Sequence, residues 1–160
     1  MPGDKKPSAT VSLIDYSPDY AQDFKQLNEA WIKRYFVMEK GDYKALDHPD
    51  EYIIEPGGYI VMALLNNEVV GTCALIKMSD GGYELAKMAV DDKAQGYGIG
   101  LKICEYLINK ARSLGAHRLY LESNTKLVPA INLYHKVGFV EIPIVGAGYD
   151  RVDIQMELIL

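Results

Sequence analysis

The most constraining feature of this 160-residue chain is a run of three apolar segments with almost nothing between them. Tyr59 to Leu65 is continuously apolar, Asn66-Asn67 follows, and Glu68 to Met78 returns. Asp80-Gly81-Gly82 then leads into Tyr83 to Val90. Asn and Gly accept positive φ, so short pairs of them between apolar runs mark tight hairpin turns. Turns this short admit only antiparallel neighbours. The three segments are expected to form an antiparallel meander.

The hydrophobic period then changes. Ile99, Ile103, Cys104, Leu107, Ile108, Ala111 and Leu114 recur at spacings of three and four, the stripe of an amphipathic helix, and Gly115 ends it. Arg118 to Glu122 reads as a strand. Ser123-Asn124-Thr125 offers cap residues for a helix with Pro129 in its first turn and Gly138 at its end. Phe139 to Ile142 is a short strand, Pro143 to Asp150 a Gly-rich loop, and Val152 to Leu160 an alternating strand. Upstream, Val11 to Ile14 is a short strand. Ser17-Pro18 opens a helical segment running towards Lys40, with Ser17 as its candidate cap, and Gly41 to Pro56 reads as a loop with a short helix. Residues 1 to about 9 are polar and Pro/Gly-containing, and are expected to be loose. With no repeat and no linker, one domain over residues 1–160 is expected, a mixed α+β sheet flanked by helices.

Composition narrows the function. The chain is 49% hydrophobic and 24% charged, enough apolar material for a core without staples. The net charge of −5 is interspersed, so no basic face is expected for nucleic acid. Cys73 and Cys104 sit in apolar runs and read as buried thiols. No Cys/His cluster suggests a metal. The start lacks an apolar signal core, and no apolar run is long enough to cross a bilayer. A cytoplasmic, reduced setting is expected.

The chemistry concentrates in Val90-Asp91-Asp92-Lys93-Ala94-Gln95-Gly96-Tyr97-Gly98-Ile99-Gly100, which joins a strand to a helix. Three alternate glycines bring bare backbone N–H groups together at the positive end of a helix, an arrangement suited to a phosphate. A tight turn without a ligand is the plain alternative. A dinucleotide fingerprint fails, because the sixth position from Gly96 is Leu101 rather than Gly. A P-loop fails, because Gly100 is followed by Leu101-Lys102-Ile103.

The segment Gln95-Gly96-Tyr97-Gly98-Ile99-Gly100 resembles the Q/R-x-x-G-x-G/A signature of the GNAT superfamily of acyl-CoA N-acyltransferases. Asn124, followed by Ala130-Ile131-Asn132-Leu133-Tyr134-His135-Lys136-Val137-Gly138-Phe139, is similar to the family's N…A-x-x-L-Y-x-K-x-G-F helix. Glu84 to Val90 resembles its fourth strand. The resemblance implies a mixed sheet of about seven strands with about four flanking helices, and acetyl-CoA as donor. The backbone of Gln95, Gly96, Tyr97, Gly98, Ile99 and Gly100 would hold the pyrophosphate. Met88, Ala89 and Val90 would border the pantetheine arm, in a gap between their strand and the one ending at Glu122. Asn124 and Asn132 would bond the arm or order its surroundings.

Amine acylation needs a base for the amine, donors for the carbonyl oxygen and an acid for the departing thiolate. Glu84 is the first candidate base and Glu122 the second, with an ion-paired surface Glu as the plain alternative. A backbone N–H near Met88 or Ala89 is the candidate oxyanion donor. The resemblance implies Tyr134 as the acid; the alternative is a core tyrosine. Tyr35, Tyr149 and Arg151 are candidate acceptor contacts, Arg151 as a fork for a carboxylate. His48, His117 and His135 carry no specific signal. The expected acceptor is a small primary amine or an amino-acid-like molecule. A protein N-acetyltransferase and a non-catalytic acyl-CoA sensor are the rivals, and a homodimer is open.

Overall fold

The computed structural model describes residues 9–146 and 148–160. The expectation for the chain start therefore lies almost wholly outside the described residues. A seven-stranded sheet forms the centre, in the order β1-β2-β3-β4-β5-β7-β6. Its strands are β1 (Val11–Asp15), β2 (Tyr59–Leu65), β3 (Glu68–Lys77), β4 (Tyr83–Val90), β5 (Arg118–Ser123), β6 (Val140–Ile142) and β7 (Ile154–Ile159). Four α-helices flank it: α1 (Ala21–Tyr35), α2 (Lys40–Asp47), α3 (Ile99–Ser113) and α4 (Val128–Lys136).

The meander follows from its turns. Asn66 and Asn67 both take positive φ, 50° and 70°, as a two-residue hairpin between right-twisted strands requires. Alternation along β2 then divides the core. Ile60 and Met62 join Phe24, Ile32 and Leu46 on one face, while Val61 and Ala63 join Ile103, Leu107 and Tyr134 on the other. All the pairings are antiparallel except one. β4 and β5 run parallel, and register only at Tyr83↔Leu119 and Glu84↔Tyr120 before they separate.

Local expectations needed adjustment at the helix starts. Ser17 stands before Pro18, but its side chain makes no capping bond, and a 3-10 turn at Pro18–Tyr20 precedes α1. The stretch expected to be mostly loop is mostly helical. Glu39 and Asp42 form a reciprocal capping box that starts α2, and a π-helical turn follows at Asp50–Ile54. Leu127 occupies the cap position of α4, and Asn124 closes a local turn by accepting from the Lys126 N–H instead.

Candidate active site

The separation of β4 from β5 opens a cavity of about 570 Å³ between α1, the β4–α3 turn, α4 and the loop before β7. That is a usual size for a small-molecule site. β4 is also irregular here. Its register against β3 shifts so that Lys87 and Met88 face the single residue Cys73, and Lys87 takes φ 58°. A left-handed conformation at a long side chain costs on the order of 1 kcal/mol, so the surroundings must hold it. The Cys73 thiol donates to the Ala86 carbonyl at 3.4 Å within this bulge.

At one end, the cavity meets the glycine turn. Gln95, Gly96, Gly98, Ile99 and Gly100 line it. Gly98 takes φ +71°, and a Cβ built there would meet no protein atom within 4 Å. It stands at the cap position of α3 with no side chain capping the helix. The first-turn N–H groups thus point towards open space at the positive end of a 15-residue helix. These residues fit a pyrophosphate.

Glu84 and Glu122 lie on the two strands just where they part, and both line the cavity. Burial and the neighbouring Glu122 carboxylate push the Glu84 carboxyl up to about 7, against a smaller opposing pull from the Lys87 ammonium. Glu122 is held by the Tyr120 hydroxyl, which donates at 2.7 Å, and by a longer bond from the Gln155 amide at 3.4 Å. Glu84 is therefore the carboxylate poised to exchange protons near neutrality, and Glu122 the anchored neighbour that helps set it there.

Tyr134 is buried on α4, with its ring edge-on to Phe139 at 6.0 Å. Its hydroxyl makes no hydrogen bond among the described residues, although the residue lines the cavity. Burial, with smaller contributions from the nearby Cys104 and Cys73 thiols, raises its pKa above the ordinary value. The hydroxyl thus stays protonated and has a bond to give.

Most of the residues singled out in the sequence meet in this cavity, but three side chains do not. Ala89 is 2% exposed and belongs to the core, Asn132 is exposed on α4, and Tyr97 packs against the α3 side of the core. Strand alternation puts Met88 and Val90 on the cavity and Ala89 behind it. Asn124 reaches the cavity wall, but its amide donates to the Arg151 carbonyl at 2.8 Å, so it orders the loop before β7. Tyr35, Tyr149 and Arg151 also line the cavity, as do Trp31 and Phe36.

Arg151 is already engaged. It forks onto Asp42 with bonds of 2.8 and 2.6 Å, and adds a longer one to Glu39. Asp42 is fully buried, and also accepts from the Lys87 ammonium at 2.7 Å. Lys87 in turn donates to the Tyr149 hydroxyl at 2.9 Å. Burial alone pushes the Asp42 carboxyl up, but the Arg151 and Lys87 bonds outweigh it and hold it at about 2. Sequence reasoning did not find Asp42 or Lys87. The available signals were a charged residue inside an apolar strand and the E-x-x-D spacing of a capping box.

Comparison with known proteins agrees with this geometry. Residues 20–139 match the model of the acetyltransferase (GNAT) family. An IAA acetyltransferase of Azospirillum brasilense is 32% identical over 107 residues, covering 66% of this chain and 70% of the relative. A probable N-acetyltransferase camello of Xenopus tropicalis is 30% identical over 59% of this chain and 44% of its own length. The chain thus spans between 44% and 70% of these two relatives. Among solved structures, a GNAT-family acetyltransferase from Staphylococcus aureus Mu50 superposes with a TM-score of 0.84 at 22% identity, over 94% of this chain and 99% of that one. The Salmonella typhimurium protein yncA, solved with its cofactor acetyl-CoA, superposes with a TM-score of 0.70 at 18% identity, over 94% of each chain. At such identities the superpositions speak for the fold, while the family match covers most of the chain. This chain belongs to the GNAT family of acetyltransferases.

Proposed function

We propose that the cavity holds acetyl-CoA with its pyrophosphate on the glycine turn, and that the enzyme transfers the acetyl group to the primary amine of a small or amino-acid-like acceptor. GNAT enzymes use acetyl-CoA, and this chain is an N-acetyltransferase by family. The observation that carries the finer reading is the convergence on one cavity of Glu84, raised to about 7, and a Tyr134 hydroxyl with no hydrogen-bond partner among the described residues. The whole of residues 1–160 acts as one domain in this reading, in the cytoplasm.

Acetyl-CoA supplies a thioester, which amines attack directly. Before the attack, Glu84 takes a proton from the acceptor ammonium, either directly or through water, so that the nitrogen lone pair is free, and the second nitrogen proton leaves to solvent as the tetrahedral adduct collapses. A backbone N–H at the β4 bulge, near Met88, stabilises the charge that develops on the carbonyl oxygen. Tyr134 gives its proton to the thiolate as the C–S bond breaks, and recovers one from solvent. The sum is one acetylated amine, one free thiol and one proton released for each ammonium consumed.

The small-acceptor reading is supported by the side chains that share the cavity with Glu84: Trp31, Phe36, Tyr149 and the ion-paired Arg151. A panel of small amines, amino acids and lysine peptides, followed by thiol release and product mass, tests it. Turnover with peptides alone would overturn the small-acceptor assignment.

A further inference from the structure

Asp42, Lys87 and Arg151 come from three separate parts of the chain: α2, the β4 bulge and the loop before β7. Asp42 has no exposed surface, and the Lys87 and Arg151 side chains are 6% and 16% exposed. Each bond runs between distant segments, 45 positions for Lys87 and 109 for Arg151. Glu39, at the start of α2, adds a carboxylate contact to the same guanidinium and accepts from the Asp150 N–H at 2.9 Å. The Tyr149 ring lies against both cations, 4.6 Å from the Lys87 ammonium and 4.4 Å from the Arg151 guanidinium. The cluster is neutral overall: two cations against Asp42 and Glu39.

A neutral buried ion cluster contributes little to stability compared with apolar packing, but it enforces one geometry, because breaking one bond strands a charge. Here that geometry includes the strained Lys87 backbone, whose φ of 58° fixes the bulge next to Glu84 and Met88. It also includes Tyr149 and Arg151, which line the acceptor end. A single carboxylate therefore links the shape of the strand that presents the base to the wall that receives the amine.

We infer that Asp42 is a positioning residue, whose carboxylate clamps the β4 bulge through Lys87 and the acceptor wall through Arg151, so that the two hold one register. This rests on the proposed acetyl transfer for its consequence in rate, but the clamp itself is a statement about structure. Asp42 acts through Lys87 and Arg151, not on the reacting atoms.

The experiment combines amide hydrogen exchange with kinetics on the full chain, for the wild type, Asp42→Asn, Lys87→Met and the double variant. Asp42→Asn should speed exchange at 86–89 and at 148–152, far from its own helix, and Lys87→Met should do the same at 86–89. The double variant should exchange at 86–89 no faster than either single one, because the two act through one bond. Displacing the reacting groups by an ångström or so lowers kcat by about 10²-fold, while acetyl-CoA affinity, carried by the glycine turn, stays within about twofold. Exchange that rises only within α2, or effects at 86–89 that multiply in the double variant, would overturn the clamp. Faster exchange at 86–89 and 148–152 without a fall in kcat would overturn the positioning role. If Asp42→Asn does not fold, Lys87→Met, which keeps the aliphatic stem, carries the same comparison at 86–89 and in kcat. If the wild type releases no thiol with any amine, the proposed reaction falls, and the exchange pattern alone decides the clamp.

Discussion

In the proposed reaction two side chains, Tyr134 and Glu84, carry most of the chemistry, and each can be tested without disturbing its neighbours. Tyr134→Phe keeps the ring against Phe139 and removes only the hydroxyl. A positioned proton donor is worth about 10²- to 10⁴-fold in rate, so kcat should fall within that range while acetyl-CoA affinity changes little. The loss should shrink with a donor whose leaving thiolate is less basic; equal losses for good and poor leaving groups would make Tyr134 a positioning group only. Glu84 offers a second test through stability. Its carboxyl is raised from 4.5 to about 7 in the fold, so its burial is tolerated fully below 4.5 and increasingly opposes folding as pH rises through 7. Glu84→Gln should therefore slow turnover, yet raise stability at pH 8 by on the order of 2 kcal/mol, a gain that fades as pH falls from 7 and is absent below 4.5. Denaturant titrations at the two pH values read the difference directly. Identical stability of the two proteins at pH 8 would mean that Glu84 is not perturbed. The sequence singles out both residues, Tyr134 through a family motif and Glu84 through its place on the strand expected to present the thioester, and both line the cavity. Asp42 and Lys87 were not legible in it, because their roles exist only once residues 45 positions apart are brought into contact.

At the scale of elements, the glycine turn is the part that composition and spacing described best. Alternate glycines ahead of an amphipathic stripe fixed both the turn and the start of α3 in advance. What could not be read was the bulge in β4, since no residue there is a glycine and left-handed Lys87 is held by tertiary bonds. The helix α2 was also under-read, because its apolar face is short and its capping box uses Glu and Asp in place of Ser and Glu. The turn supports a binding prediction. Gly98→Val places a β-branched side chain at φ +71° and into the open space above the α3 N-terminus. CoA affinity should fall by about 10- to 100-fold, the worth of one or two charge-assisted bonds. The new Cβ meets no protein atom, so the fold should survive with a loss of about 1–2 kcal/mol from the positive φ. Calorimetry giving wild-type affinity in a folded Gly98→Val protein would remove the turn from the site.

For the whole molecule, the sheet has one core on each face, and helices from both halves of the sequence cover them. The sequence order of strands and helices made this mixed architecture readable, whereas the separation of β4 from β5 emerges only from the assembled sheet. Because β1, β2 and β3 each contribute residues to both cores, the faces should unfold together. Trp31, the single tryptophan, lies on α1 in the cavity wall and reports on one face, while far-UV circular dichroism reports on all helices. The two probes should give coincident denaturant transitions. An early fluorescence transition would mean that the α1 layer opens separately. Among the described residues, no helix is long and apolar enough to cross a membrane, and no group of three or more His, Cys, Asp or Glu side chains is arranged to hold a metal ion.

The central claim is acetyl transfer to an amine in the cavity between β4 and β5, and its most direct measurement is a matched count of products. The protein is incubated with acetyl-CoA and a panel of small amines and amino acids, and free thiol and N-acetylated amine are quantified in the same samples. The account predicts equal amounts of the two for at least one amine, rising with pH through about 7 as Glu84 loses its proton, and collapsing in Tyr134→Phe. Tight acetyl-CoA binding with no thiol release from any amine, small or peptidic, would contradict it and leave the cavity as a sensor of acyl-CoA.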